Sequence, residues 1–193
     1  MITRRGLPRS VLSKLHQYRC RSRGWFLTLW IRAWGGNVGA GLTVDRGATL
    51  RHPPSSGWNI GTAVYLGRNC ILDIQPGAVL AIGSRTKIMH FVVVGAETRI
   101  EIGEDVQISE FSSVRDANHV IDSPVVIAKS GMKSSPISIG NDVWVGRGSA
   151  VLSGAKIENG AVVGANSVVN RHVESNSIVA GAPARLLRKR QNR

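Results

Sequence analysis

A β-branched residue recurs at every sixth position between Ile139 and Glu174. Ile139, Val145, Val151, Ile157, Val163 and Val169 all fall at one phase. The residue that follows is often small or short, as at Gly140, Gly146, Gly164 and Asn170, and Val143, Ser149, Ala155, Ala161, Ser167 and Val173 hold the fifth position. A period of six matches neither the 3.6 of a helix nor the 2 of a half-buried strand. Short units that cannot fold alone imply a stacked solenoid. Three hexads make a turn of 18 residues, which stacks Ile139 under Ile157, Val145 under Val163 and Val151 under Val169. Each β-branched residue suits a short strand and points inward, where its burial is worth roughly 1.5–3 kcal/mol. Gly and Asn near the corners (Gly140-Asn141, Asn159-Gly160, Asn166) tolerate the positive φ of tight turns.

The phase extends towards the N-terminus with less regularity. Val38, Val44 and Leu50 fit a first turn, from which Arg51–Trp58, with Pro53-Pro54, is expected to bulge out. Ile60, Leu66 and either Leu72 or Ile74 fit the second; Ile82, Ile88 and Val94 the third; Ile102, Ile108 and Val114 the fourth. Extra residues near Leu80-Ala81 and Ile100-Glu101 are assigned to corners. The starts at Ile102 and Ile139 lie 37 residues apart, twice a clean turn. The segment 115–138 is therefore an inserted loop, and a long loop inside a regular solenoid points to function. Six coils at about 4.8 Å per layer give a prism roughly 30 Å long.

Both ends differ from the coil. Residues 1–36 read as a basic amphipathic helical segment. Its Val11, Leu12, Leu15, Tyr18, Phe26, Leu27, Leu29, Trp30, Ile31 and Trp34 are interleaved with Arg and Lys. Trp25–Ile31 is too short an apolar run to span a bilayer and lacks a signal-peptide layout. Two compatible roles follow: a cap over the first coil, and peripheral contact with an anionic membrane surface through residues 1–34. The coil is expected over 37–180. Pro183 ends it, and a basic tail over 181–193 is expected to hold a short helix.

Charge sharpens this division. The net charge of +13 resides at the ends: residues 1–34 hold eight Lys/Arg and no acid, while 35–170 hold eleven of each sign. A nucleic-acid binder is expected to carry a basic face on its folded domain, so nucleic acid is not an expected partner. Cys20 and Cys70 provide no disulfide or metal framework, and a reducing cytoplasm is the simplest compartment.

Three motifs add chemistry: His119 at the start of the inserted loop, Ile139-Gly-Asn-Asp-Val-Trp144-Val-Gly146, and Gly181-Ala-Pro-Ala-Arg185. With the hexads, and over about residues 38–188, they resemble the hexapeptide-repeat acyltransferases, in the branch that O-acetylates sugars and polysaccharides. The resemblance implies a mainly β fold, a left-handed parallel β-helix of about six coils. The left hand comes from the resemblance alone, because parallel crossovers ordinarily favour the right. It also implies acetyl-CoA as acyl donor, no metal, and a homotrimer with the pantetheine arm in a groove between prisms.

Acyl transfer to an alcohol needs a base for the hydroxyl proton and donors for the developing oxyanion. His119 has the appropriate chemistry for the base. Asp116 or Asn118 could orient its ring or bind the sugar, and the sequence does not choose between them. A corner amide such as that of Gly146 could face the thioester oxygen. By resemblance, Trp144 lines the acceptor or pantetheine region, and Arg185 with Arg188 or Lys189 meets the phosphates of coenzyme A. The enzymes for free galactoside and maltose begin with a longer helical segment. The basic, Trp-rich helix here suggests instead a glycan under assembly at the cytoplasmic face of the membrane, such as an O-antigen, capsule or exopolysaccharide unit.

Other readings are weaker. Cys70, at a small inward position, reads as core and not as a nucleophile. N-acylation or serine acetylation would use the same chemistry. A zinc enzyme of the γ-carbonic-anhydrase type shares the coil and needs three histidines. His90 and His119 could be two of them, but none follows His119 at that family's spacing. His90 could also line a groove, and His52 shows no partner. A non-catalytic scaffold docking through its basic ends is the alternative from another class.

Overall fold

The computed structural model describes residues 9–191. Its body is a solenoid of short parallel strands in three walls, running from Asn37 to Ala180. The first wall stacks Val38, Ile60, Ile82, Ile102, Ile139 and Ile157 in one inward column. The second stacks Val44, Leu66, Ile88, Ile108, Val145, Val163 and Val179. The third stacks Leu50, Leu72, Val94, Val114, Val151 and Val169. Every member except the partly covered Leu50 is buried. The six-residue phase and its register are therefore those expected, and Leu72, not Ile74, holds the column.

Two local expectations change. The extra residues of the early coils do not sit at corners but lengthen strands to four residues, as in Val79–Ile82 and Arg99–Ile102. The lengthened strands add a second inward column on the first wall: Trp58, Leu80, Ile100 and Ile137. Trp58 is thus not part of an outward bulge. It is almost fully buried, because its large ring fills the added width of the prism.

Each end of the solenoid is closed differently. Helix α1, Arg9–Ala33, lies over the first coil and buries Cys20, Leu27 and Ile31 there. Gly24 lets the helix approach closely: a Cβ at this position would fall 1.9 Å from the Leu42 carbonyl oxygen. Arg32 Nη2 donates to the Val38 carbonyl at 2.6 Å and ties the helix end to the first strand. At the other end the tail forms a strand, Arg185–Lys189, and not the expected helix. It pairs antiparallel with Ser177–Ala180, satisfying the amides and carbonyls that the last strand would otherwise leave open.

Candidate active site

The inserted segment leaves the third wall after Ser113–Arg115 and returns to the first wall at Ile137–Ile139. It folds as a two-stranded antiparallel ribbon, Ala117–His119 against Met132–Ser134, with a 3-10 turn at Ile127–Lys129. His119 pairs with Met132 and Asn118 with Lys133. The ribbon base is held to the next coil, where Ser153 Oγ donates to the Asp116 carbonyl at 2.7 Å and Ser135 N donates to Ser153 Oγ at 3.0 Å. Sequence reasoning missed Ser135 and Ser153; their signal was position, one coil apart at the foot of the insertion. Towards the tip, Ile121, Val125, Val126 and Ile127 are exposed.

His119 is exposed and borders an open cavity of about 490 Å³, together with Asn118, Asp122, Lys133, Ser135 and Ser153. Val120 and Ile121 complete the lining, which is thus mixed, and its one imidazole, one carboxylate and one ammonium suit a hydroxylated ligand.

Asp116 does not belong to this lining, and the expectation that it binds sugar or orients the imidazole is corrected. Its side chain is fully buried. The residue lies just past the Arg115–Gly95 pair, in line with the inward Ile74 and Ala96 of the coils below. Its carboxylate accepts from the backbone amides of Glu97, Thr98 and Arg99 at 2.6–2.8 Å and from Thr98 Oγ1 at 3.0 Å. Fully buried and held by four donors, such a carboxylate is closed to a ligand. It anchors the ribbon to the turn beneath it.

Trp144 lies on the outer face of the second wall, exposed, with its indole Nε1 donating to Ser109 Oγ at 3.0 Å. It borders a cavity of about 430 Å³ with Gln107, Asp142, Val162 and Arg190. Gly146 directly follows the strand Trp144–Val145, and its assignment to the donor is corrected. Its amide donates to the Val163 carbonyl at 2.8 Å as part of the ladder between coils and cannot also face a thioester oxygen. A Cβ here would meet Ala165 N and Val163 O at 2.7 Å, so the glycine serves close stacking of adjacent coils.

In the tail, Lys189 pairs with Glu174 and Arg190 with Asp142. Arg185 and Arg188 are exposed and donate to neighbouring main-chain carbonyls. Among the described residues of the tail, these two are the cations without a carboxylate partner. Arg190, passed over in the sequence, sits beside Trp144 and closes one side of its cavity.

Topology separates these parts. The ribbon projects from the corner joining the third and first walls, whereas Trp144 and the tail strand belong to the second wall, opposite that corner. One protomer therefore does not bring His119 and Trp144 together.

The remaining candidates are structural. Burial pushes the Cys70 thiol up to about 12, so it is core. His90 Nδ1 accepts from the Arg68 amide at 2.9 Å, His172 Nε2 lies 2.9 Å from Glu158 Oε1, and His52 has a partner after all, 3.5 Å from Asp73. Among the described residues one cluster unites metal-ligating types: His16, Cys20 and Asp45, with Arg68 also 3.8 Å from the Asp45 carboxylate. It pins α1 to the first coil, away from the ribbon.

The family model for bacterial hexapeptide transferases (six repeats) matches residues 136–171. A putative lipopolysaccharide biosynthesis O-acetyl transferase of Escherichia coli is 31% identical over 139 residues, covering 68% of this chain and 71% of that protein. The chain belongs to the hexapeptide-repeat transferases. A probable acetyltransferase of Mycobacterium tuberculosis is 31% identical over 157 residues. This hexapeptide-repeat protein spans 81% of its own length in that match but only about half of the relative, 51%. Among solved structures, an N-acyltransferase from Bacillus cereus in complex with dTDP and coenzyme A superposes with a TM-score of 0.71 at 20% identity, covering 96% of this chain and 90% of that one. That likeness establishes the fold.

Proposed function

We propose that this protein is an acetyl-CoA-dependent O-acetyltransferase that modifies a sugar hydroxyl, in the building of a cell-surface polysaccharide in the cytoplasm. The observation that carries the reading is His119, exposed on the ribbon that interrupts the coil and bordering a cavity with Asn118, Asp122 and Lys133. Similarity to the Escherichia coli lipopolysaccharide O-acetyl transferase supports the acceptor class.

The imidazole of His119 takes the proton of the acceptor hydroxyl as its oxygen attacks the thioester carbonyl carbon. The C–S bond breaks, an ester forms, and the departing thiolate of coenzyme A recovers the proton. Asn118 and Lys133 hold sugar hydroxyls at the cavity rim. A homotrimer completes the site. The ribbon of one protomer reaches the second wall of its neighbour, and the neighbour's Trp144 flanks the pantetheine arm. The exposed apolar tip at Ile121 and Val125–Ile127 supports such a contact, since exposed apolar clusters mark interaction sites. Arg185 and Arg188 meet the phosphates of coenzyme A.

N-acylation of a sugar amine is the second reading, and the similarity of fold to the Bacillus cereus N-acyltransferase favours it. The test is a thermal-shift titration with acetyl-CoA, followed by transfer assays on hydroxyl and amino sugars with wild type and His119→Ala. A saturable shift, then ester formation that depends on His119, supports the proposal. Amide formation selects the second reading. No shift with any acyl-CoA, in folded trimer, overturns both.

A further inference from the structure

Helix α1 carries two apolar stripes. The first, Cys20, Gly24, Leu27 and Ile31, repeats at spacings of four and three and is buried on the first coil. The second follows the same spacing on the opposite side: Val11, Leu15, Tyr18, Ser22, Trp25 and Leu29. All of these are exposed, Trp25 at 58%, and so are the adjoining Leu12, Phe26 and Trp30. A cap needs only the first stripe; a helix with one solvated face would be polar on the other.

Charge frames the outer stripe. At 100° per residue, Lys14, Arg21 and Arg32 run along one border and Arg19 and Arg23 along the other. The helix contains no Asp or Glu. A hollow of about 450 Å³ opens beside the stripe, between α1 and the coil, lined mainly by Phe26, Leu27, Trp30, Val44 and Leu50, with Arg23 and the buried Asp45 as its charged members.

We infer that the outer face of α1 docks in the plane of an anionic lipid bilayer. Trp25, Phe26, Leu29 and Trp30 enter the boundary between headgroups and acyl chains, where amphipathic rings are favoured. The flanking arginines and Lys14 reach lipid phosphates. The helix lies on the bilayer, since no described helix is long and apolar enough to cross one. A second copy is a poorer occupant. Pairing two such faces would set basic borders against basic borders. The coenzyme A and sugar chemistry proposed above plays no part in this inference.

The experiment is vesicle flotation with the full chain. Vesicles of phosphatidylcholine alone are compared with vesicles that also contain phosphatidylglycerol, at low and high salt. The protein is expected to float with the anionic vesicles only, with blue-shifted tryptophan emission and release by salt. Trp25→Ser with Leu29→Ser is expected to weaken binding at least about tenfold, and so is Arg19→Gln with Arg21→Gln. Both double variants should keep the wild-type melting temperature and the wild-type shift with acetyl-CoA, so failure here leaves the acetyl-transfer reading intact. Equal binding to neutral vesicles, no binding, or binding unaffected by either variant overturns the inference. So does an oligomer that dissociates in Trp25→Ser, which would give the face to a second copy. Tighter binding to nucleic acid than to vesicles would overturn it equally.

Discussion

The solenoid wall and the ribbon inserted into it obey opposite rules. In the wall, each residue is constrained from above and below by the same position in the next coil. Val145 is fully buried between Ile108 and Val163, and the Gly146 amide is already committed to Val163. In the ribbon, His119 has only Met132 across from it, and Asn118 only Lys133. The wall spends its polar groups on its own ladder, so it offers little to a ligand. The ribbon leaves an imidazole, an amide and an ammonium free at a cavity. Asp116 marks the border between the two: ribbon by sequence, wall by burial.

The sharpest way to break this comparison is to remove one group from the ribbon. His119→Ala should lower acetyl transfer by about 10²–10⁴-fold, the usual share of a general base, and leave the melting temperature unchanged. Steady-state kinetics with a melting curve checks both. A comparable loss of stability would mean that the ribbon is as interlocked as the wall.

Asp116→Ala, three positions earlier, should do the reverse. It takes a fully buried carboxylate from three backbone amides and should cost about 3 kcal/mol of stability, in line with the loss of charge-assisted hydrogen bonds. Denaturant titration reads it, and Asn118→Ala serves as the control with almost no loss.

Glycine substitutions sharpen the contrast further. Gly146→Ala forces a Cβ against the backbone of the next coil and should cost about 2 kcal/mol. Gly131→Ala at the ribbon tip meets nothing within 4 Å, and only its φ of +81° penalises the new side chain, for about 1 kcal/mol. If both cost the same, packing between coils is not what distinguishes the regions.

A further effect concerns pH and is confined to alkaline solution. Burial raises the Cys70 thiol from its ordinary value of 9.0 to about 12. A group whose folded pKa is raised stabilises fully below its unfolded pKa and loses that contribution as pH rises towards the folded one. Stability should therefore decline between about pH 9 and 12, and Cys70→Ala should flatten part of that slope in denaturant titrations across the range.

Much of the wall was legible because a hexad repeats its instruction in every layer. Ile139, Val145 and Val151 predicted their own stacking on Ile157, Val163 and Val169, and the break after Val114 located the ribbon to within a few residues. The errors share one cause. Asp116, next to Asn118 and His119 in sequence, looked like a partner in chemistry. Gly146 looked like a free corner amide, and Arg185–Lys189 looked like a helix. In each instance the deciding group lies in another coil: the Glu97–Arg99 turn, the Val163 carbonyl, and the open edge of Ser177–Ala180. Trp58 was misplaced for the same reason, since the column that receives it includes Leu80 and Ile137.

By itself the sequence determined the period, the inward columns, the site of the insertion and the concentration of charge at the two ends. These are local properties, written in the spacing of residue types along the chain. Only the tertiary structure decided which polar groups remain free once the ladder and the turns have taken theirs. It alone set His119 and Trp144 on opposite sides of the prism, and it alone divided α1 into a buried stripe and an exposed one. Those outcomes depend on which surfaces meet across tens of residues, and a hydrogen bond or a buried face belongs to both partners, only one of which is visible at any point along the chain.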